Sequence, residues 1–260
     1  MKTNPRSGAT DKELAYAAGY LEGSLNPVGN WDCYLSNVAQ YSNGTPPAQE
    51  LDFLTQNYLW TKDMSQRKPE QVVYWTNVEL VLTQLDGMVR GHNDHCTPDK
   101  KMTLMDFILV NTDGDRITLD DMYLNQGLEE RSYEDWRKKE VGTHCSSLIR
   151  LPDDKSDLFT SHTTWSGYNT MIRTYKVYDL QFNAAFSSKI SFSSYPATLW
   201  STDDFYVTEK GISVIETTNG VFNKTLHQLI TPKSVLCWIR TIVASRMATT
   251  GYWWVDTFKL

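Results

Sequence analysis

The chain has 260 residues, 40% of them hydrophobic and 12% aromatic, and a formal net charge of −6. This composition predicts a packed core and excludes a disordered chain, and the negative charge argues against nucleic-acid binding, which usually requires a basic face. No apolar run approaches the roughly 18 residues of a transmembrane helix. Residues 1–13 contain no apolar segment that a signal peptide would need, which points to the cytosol. Two N-glycosylation sequons, at Asn43 and Asn223, point instead to a secretory route, so composition leaves the compartment open.

The N-terminal part of the chain is predicted to be helical. Thr10 and Glu13 have the spacing of a capping box, and the apolar residues that follow recur at helical intervals. Asn26-Pro27 should end this first helix, because the residue before a proline disfavours helical geometry. A helix opening at Lys68-Pro69 has a broad apolar stripe and should end near Gly91. The helices predicted here cover residues 11–25, 31–43, 48–64 and about 68–91.

The middle of the chain is less regular. Residues 92–103 have the composition of a polar loop, and the apolar segment 104–110 fits a helix or a strand equally well. Residues 118–144 are mostly charged and have almost no apolar period, which is typical of a linker or an excisable segment.

The character of the sequence changes to β after Cys145. Segments rich in Ser, Thr, Val, Ile and aromatic residues are bounded by turn residues, which predicts strands. Residues 165–176 are predicted as a short helix, and helices return at about 221–230 and after Pro232. The order of helices, strands and helices predicts an α+β fold. The predicted strands are 145–151, 157–163, 187–194, 204–208 and 211–217.

Cys145 is the main candidate for a chemical role. A buried structural cysteine is the commoner case, but this one lies where the charged segment meets the first strand. Gly142 precedes it and two small serines follow, a layout expected where a chain is cut to expose a new terminus. An N-terminal cysteine needs no histidine as base, because its own α-amino group can accept the thiol proton.

His162 and Trp165 are the nearest candidates to assist Cys145. A hairpin between the first two predicted strands would bring His162 towards the cysteine as a base. The alternative is a strand histidine bonded to a backbone carbonyl, and Trp165 is by type more often a core residue. The remaining cysteines, Cys33, Cys96 and Cys237, allow at most one disulfide among them.

The other polar clusters are interpreted as structural. Asp153-Asp154 and Asp203-Asp204 are predicted to be solvated turns rather than acid–base pairs. Residues 111–115 place their glycine wrongly for a calcium loop. His92, His95 and Cys96 lack a fourth ligand spaced to complete a metal site, so no metal and no organic cofactor is predicted.

Several long segments resemble the phospholipase B-like proteins, the family that includes the laminin-ancestor proteins. The resemblance covers nearly all of the chain. The segments that carry it are AYAAGYLEGSL, THCSSLI, DLFTSHTTW, SGYNTMIRTYKVYDLQF, SSYPATLWSTDDFY, GISVIETTNG and WIRTIVASRMATTG.

This resemblance implies an N-terminal nucleophile hydrolase with an αββα sandwich, cleaved by itself between His144 and Cys145. The family's catalytic cysteine falls on Cys145, and its pocket histidine and tryptophan fall on His162 and Trp165. Three regions follow: a helical region at 1–117, an excisable linker at 118–144 and the first part of the catalytic core at 145–260. Members are typically lysosomal or secreted glycoproteins.

The implied activity is removal of fatty acyl chains from phospholipids. Two alternatives stay open: hydrolysis of N-acyl amides by the same mechanism, and a non-enzymatic glycoprotein that binds lipid or a protein partner. Family members are about twice as long as this chain, so the sandwich is expected to be incomplete. The absent C-terminal half would supply further strands and an asparagine near the oxyanion, and residues 1–260 alone are expected to be poorly stable and inactive.

Overall fold

A computed structural model describes residues 1–3, 8–39, 44–67, 71–123, 145–168, 171–218 and 223–260. Within these ranges the chain combines helices with two antiparallel sheets, which confirms the α+β class. The helices are α1 (Asp11–Leu25), α2 (Pro27–Val38), α3 (Ala48–Arg67), α4 (Val72–His95), α5 (Leu104–Asn111), α6 (Asp113–Tyr123), α7 (Cys237–Met247) and α8 (Gly251–Phe258). Short 3₁₀ helices occupy Pro98–Lys100 and Lys224–Leu229.

The first helix is confirmed with its capping box. Thr10 accepts a hydrogen bond from the backbone N–H of Glu13, whose carboxylate accepts one in return from the N–H of Thr10 at 2.8 Å. The second helix begins at Pro27 rather than at residue 31, because proline suits the first turn of a helix and Asn26 caps it.

Close contact between α1 and α4 explains why α4 continues past Gly91. A Cβ added at Gly91 would lie 2.0 Å from the carbonyl oxygen of Tyr20, and one at Gly19 would lie 1.8 Å from that of Gln84. Gly91 therefore lets two helix backbones touch rather than ending a helix. The loop predicted at 92–103 is wrong at its start, since α4 extends to His95.

Two segments in the middle of the chain are helical where the sequence prediction was ambiguous or different. The ambiguous segment at 104–110 is helical, because Thr103 and Asp106 form a second capping box. The charged segment predicted as a linker from residue 118 begins inside α6, which extends to Tyr123. Residues 124–144 lie outside the described ranges.

The strands form a hairpin and a separate four-stranded sheet. The hairpin pairs β1 (Ser146–Arg150) with β2 (Phe159–Thr163), and the sheet has the order β3-β4-β5-β6. Its strands are β3 (Thr174–Asp179), β4 (Lys189–Ser194), β5 (Phe205–Thr208) and β6 (Ser213–Ile215). The five predicted strands are confirmed. The helix predicted at 165–176 is wrong, because its last part belongs to β3, which pairs with β4 along its whole length.

Two hydrophobic clusters hold the fold together, and each joins early and late parts of the chain. The larger packs α4 and α5 against residues 195–200 and α7. The smaller packs α1 and Leu80 against the inner side of the sheet, where Tyr178, Phe192 and Tyr206 lie. Helices thus cover one side of the four-stranded sheet.

Candidate active site

The β1–β2 hairpin places the candidate residues at its open end. Ser146 pairs with Thr163 and Ser147 with His162, so Cys145 lies directly before the paired region and Trp165 two residues beyond it. Side chains alternate across a strand. The hairpin thus brings together the cysteine, the histidine and the tryptophan that the sequence singled out.

The hairpin docks on the turn before β5 and on the end of β6 through polar contacts. The hydroxyls of Thr160 and Ser213 are 3.0 Å apart, and that of Thr164 donates to the carbonyl of Asp203 at 3.3 Å. The Nε2 atom of His162 lies 2.6 Å from the carbonyl oxygen of Glu216. This docking carries Cys145 to an acidic group of side chains formed by Asp203, Asp204 and Glu216.

The thiol of Cys145 is partly buried and faces these carboxylates. Burial raises its pKa, the backbone N–H of Trp165 lowers it through a hydrogen bond to the sulfur, and Asp204, Glu216 and Asp203 raise it further. The uncut chain therefore holds Cys145 as a neutral thiol, since both desolvation and negative neighbours disfavour a thiolate.

Asp203 is buried rather than solvated, which contradicts the sequence prediction for this pair. Its carboxylate accepts a hydrogen bond from the Tyr195 hydroxyl at 2.5 Å and lies 3.6 Å from Arg173. These partners compensate the cost of burying the carboxylate.

Asp204 is the most perturbed carboxyl group of the site. Its backbone has a φ of 54°, in the left-handed region, within the turn that Asp204 closes by donating to the carbonyl of Ser201. Burial raises the pKa of Asp204 to about 8, and the charge and hydrogen bond of Glu216 and the charge of Asp203 add to the rise. Asp204 thus carries a proton at neutral pH beside Cys145. Sequence reasoning missed this role, because adjacent aspartates before a strand usually mark a turn.

The structure places His162 and Trp165 differently from a simple catalytic pair. The ring of His162 binds a backbone carbonyl, the arrangement given as its alternative, and so fixes the hairpin to β6. Trp165 is 49% exposed, so its indole is not a core group, and it is the backbone N–H that meets the sulfur.

The remaining sequence candidates stand apart from this site. His144 and Asn43 lie outside the described residues. Asn223 is exposed, and its side-chain oxygen accepts a 2.6 Å hydrogen bond from the hydroxyl of Thr225, the third residue of its sequon. All four cysteines are free thiols. The Asp153-Asp154 pair lies in an exposed turn as predicted, with Asp154 accepting hydrogen bonds from Ser156.

Within the described ranges, no group of three or more His, Cys, Asp or Glu side chains is arranged to hold a metal ion. None of the helices in those ranges combines the length and apolar character needed to cross a membrane.

The hairpin leaves apolar side chains uncovered on both of its faces. Leu148, Ile149, Leu158 and Phe159 are each more than half exposed, with 63% for Ile149. Leu148 and Phe159 lie on one face and Ile149 on the other, and exposed apolar groups of this kind can mark interaction surfaces.

Comparison with known proteins finds one family. The sequence profile described as Phospholipase B matches residues 1–260. The chain is similar to Phospholipase B-like protein B of Dictyostelium discoideum, with 40% identity over 96% of this chain and 45% of that protein. It is also similar to Phospholipase B-like 1 of Rattus norvegicus, with 32% identity over 95% of this chain and 45% of that protein. The chain thus spans about half the length of the curated relatives it matches.

Proposed function

The chain belongs to the phospholipase B family, and on that premise we propose that it is part of an acyl hydrolase whose nucleophile is Cys145. Cleavage of the peptide bond between His144 and Cys145 would make this cysteine an N-terminal residue. The substrate class is an acyl lipid, with phospholipid esters as the leading candidate in keeping with the names of the relatives.

One observation carries the proposal: the acidic group around Cys145 fits the cation that cleavage creates. A free α-amino group has an ordinary pKa of about 7.7–8.0 and is largely protonated below that pH. Asp203 and Glu216 act electrostatically on Cys145 and would stabilise an ammonium group there, and Asp204, protonated at neutral pH, would add a third negative charge on losing its proton. The new cation would in turn favour the thiolate that the uncut chain disfavours.

The proposed reaction follows from these charges. The α-amino group accepts the thiol proton, the sulfur attacks the acyl carbonyl carbon, and the leaving alcohol takes the proton as its bond to carbon breaks. Water then attacks the thioester, releasing the fatty acid and restoring the thiol. Donors that stabilise the oxyanion are required, and the N–H of Trp165, which already interacts with the sulfur, is a candidate.

Trp165 and His162 have supporting roles in this scheme. The exposed indole of Trp165 would line the acyl pocket, and His162 would hold the hairpin in place through Glu216. We further propose that the part of the protein present in the longer relatives covers the exposed apolar side chains of the hairpin. A lysosomal or extracellular location and glycosylation at Asn43 and Asn223 belong to the same proposal.

The test is processing and turnover of the full-length protein. Mass spectrometry should find a new amino terminus at Cys145 in the wild-type protein and none in Cys145→Ala. A cut that persists in Cys145→Ala, or a wild-type protein that remains uncut, would refute self-cleavage at this residue.

A second measurement identifies the leaving group. Labelled ester and amide lipids are offered to the processed protein, with Cys145→Ala as the blank. Ester turnover supports the phospholipase assignment and amide turnover the N-acyl amide hydrolase. Correct cleavage with no turnover of either would favour a non-enzymatic binding protein.

A further inference from the structure

Arg246, on the inward face of α7, is a buried cation. It is only 3% exposed. Its Nη2 atom donates to the side-chain oxygen of Gln84 at 2.7 Å, and its guanidinium lies 5.0 Å from the ring centre of Phe182. The Nη1 atom is buried and has no hydrogen-bond partner in the described ranges. Burial lowers the pKa of Arg246 to about 10, so the group is still charged at neutral pH.

No carboxylate within the described residues forms an ion pair with this charge. The Tyr178 phenol acts electrostatically on Arg246, but burial raises its pKa well above the ordinary value, so it stays neutral. Glu22, which accepts from that phenol, is already engaged by Lys176 at 2.7 Å. An uncompensated buried charge of this kind is costly.

A cavity of about 10 Å³ adjoins Arg246, between α7 and the inner side of the sheet. This is room for one water molecule or one ion of similar size. The lining of the cavity includes one cationic side chain, Arg246, and no carboxylate. Ser187 also lines the cavity, and its buried hydroxyl has no partner in the described part of the chain. The hydroxyl of Ser245 accepts from the indole of Trp254 at 3.1 Å, which leaves its proton available.

We propose that this cavity binds a single small monovalent anion, with chloride as the physiological ligand. The Nη1 of Arg246 and the hydroxyls of Ser187 and Ser245 donate to it. A cation is disfavoured by the guanidinium, and a water molecule would satisfy the donors without compensating the charge. The anion ties α7 to α4 through Gln84 and to the turn that carries Ser187, and it is independent of the chemistry at Cys145.

Thermal unfolding of the full-length protein tests the proposal. The melting temperature is measured at pH 7 and constant ionic strength while gluconate is replaced by chloride or bromide. A ligand that binds only the folded state raises the melting temperature with a saturable dependence on its concentration. We expect this rise for the halides and none for sulfate, which is too large for the cavity.

Variants assign the effect to the site. Ser187→Ala removes one donor and should raise the half-saturating chloride concentration about tenfold, because hydrogen bonds to charged groups are strong. Arg246→Met should abolish the halide response. Arg90→Ala, which removes an exposed arginine paired with Asp94, is the matched control and should respond like the wild type.

Crystals of the wild-type protein test the site directly and do not require Arg246→Met to fold. Wild-type crystals grown in bromide should give an anomalous difference peak within hydrogen-bond distance of the Arg246 Nη1. A site without that peak, occupied by water in every halide, would overturn the proposal. A halide response that is unchanged in Ser187→Ala would also overturn it.

Discussion

The backbone N–H of Trp165 donates a hydrogen bond to the sulfur of Cys145. The contact depends on the hairpin register, in which Ser146 faces Thr163, and not on the indole ring. In the proposed reaction, positioning of the nucleophile and lining of the acyl pocket are therefore separable contributions of Trp165.

Trp165→Phe should separate these contributions. The variant keeps the backbone donor, so we expect cleavage before Cys145 at a rate within about threefold of wild type, far less than the roughly 10²–10³-fold cost of losing an oxyanion donor. Turnover of acyl lipids should show a higher KM, because the exposed indole offers apolar surface to the substrate. Cleavage is followed by mass spectrometry and KM by fatty acid release. A folded Trp165→Phe protein that stays uncut would mean that the ring itself positions the sulfur.

Asp204 should make stability depend on pH. Its pKa is about 8 in the folded chain and about 3.9 when unfolded, so the folded state retains a proton between these values. The stability that this proton confers is fully present below pH of about 4 and is lost as pH rises through about 8. We expect a loss on the order of 1–2 kcal/mol, allowing for the part of Asp204 that solvent reaches.

Urea unfolding of Asp204→Asn across pH 4–9 measures this contribution. The neutral amide should flatten the slope between about pH 4 and pH 8. A smaller slope between about pH 4 and pH 6 should persist, because burial raises the pKa of Asp115 to about 6. Asp256→Asn, at an exposed pair with Lys259, should leave the profile unchanged. An equal slope near pH 8 in Asp204→Asn and wild type would contradict the assignment.

Gly19→Ala should be strongly destabilising. The added Cβ would lie 1.8 Å from the carbonyl oxygen of Gln84, which belongs to the helix backbone and cannot yield as a side chain would. Separation of α1 from α4 should cost at least about 2 kcal/mol, at the upper end of overpacking changes. Gly251→Ala is the control, since nothing lies within 4 Å of its added Cβ, and its effect should stay within about 0.5 kcal/mol. Equal melting temperatures for the two variants would refute the close contact.

The buried ion pair of Arg116 and Glu50 should also carry a large penalty when broken. The guanidinium Nε and the carboxylate are 3.3 Å apart, and their side chains are 3% and 1% exposed. Glu50→Gln leaves Arg116 charged inside the core with Asp113, 3.5 Å away, as its remaining carboxylate, and should cost about 2–3 kcal/mol by denaturant unfolding, below the cost of a wholly unpaired buried charge. The exposed pair of Arg67 and Asp63 offers the comparison: Asp63→Asn should cost no more than about 0.5 kcal/mol. Similar costs at both sites would show that Arg116 is compensated elsewhere.

Local signals in the sequence predicted most elements, and their failures have physical causes. The Thr10–Glu13 capping box gave α1 its start. Strand β3 was missed because its inward positions include Lys176, which is polar by type yet buried through its ion pair with Glu22. A half-buried strand is predicted from apolar residues at every second position, and a lysine at one of those positions hides the pattern.

The sequence predicted the hairpin residues of the candidate site but not its acidic residues. Cys145, His162 and Trp165 lie on one hairpin, so their proximity follows from local pairing. Asp203, Asp204 and Glu216 reach the cysteine only because the hairpin docks on another sheet. No spacing along the chain encodes that contact, so their part in the site required the three-dimensional structure.

Both hydrophobic clusters draw their residues from either side of the proposed cut. The larger joins Phe107 and Leu85 to Ile239, and the smaller joins Leu14 to Phe192. Residues 1–3 also hydrogen-bond to Asp179, the last residue of β3, with the N–H of Thr3 donating at 2.9 Å. Breaking the chain before Cys145 therefore changes its connectivity but opens no core. The two products should migrate as one particle in gel filtration and as two bands under denaturing conditions, a heterodimer made from a single gene product.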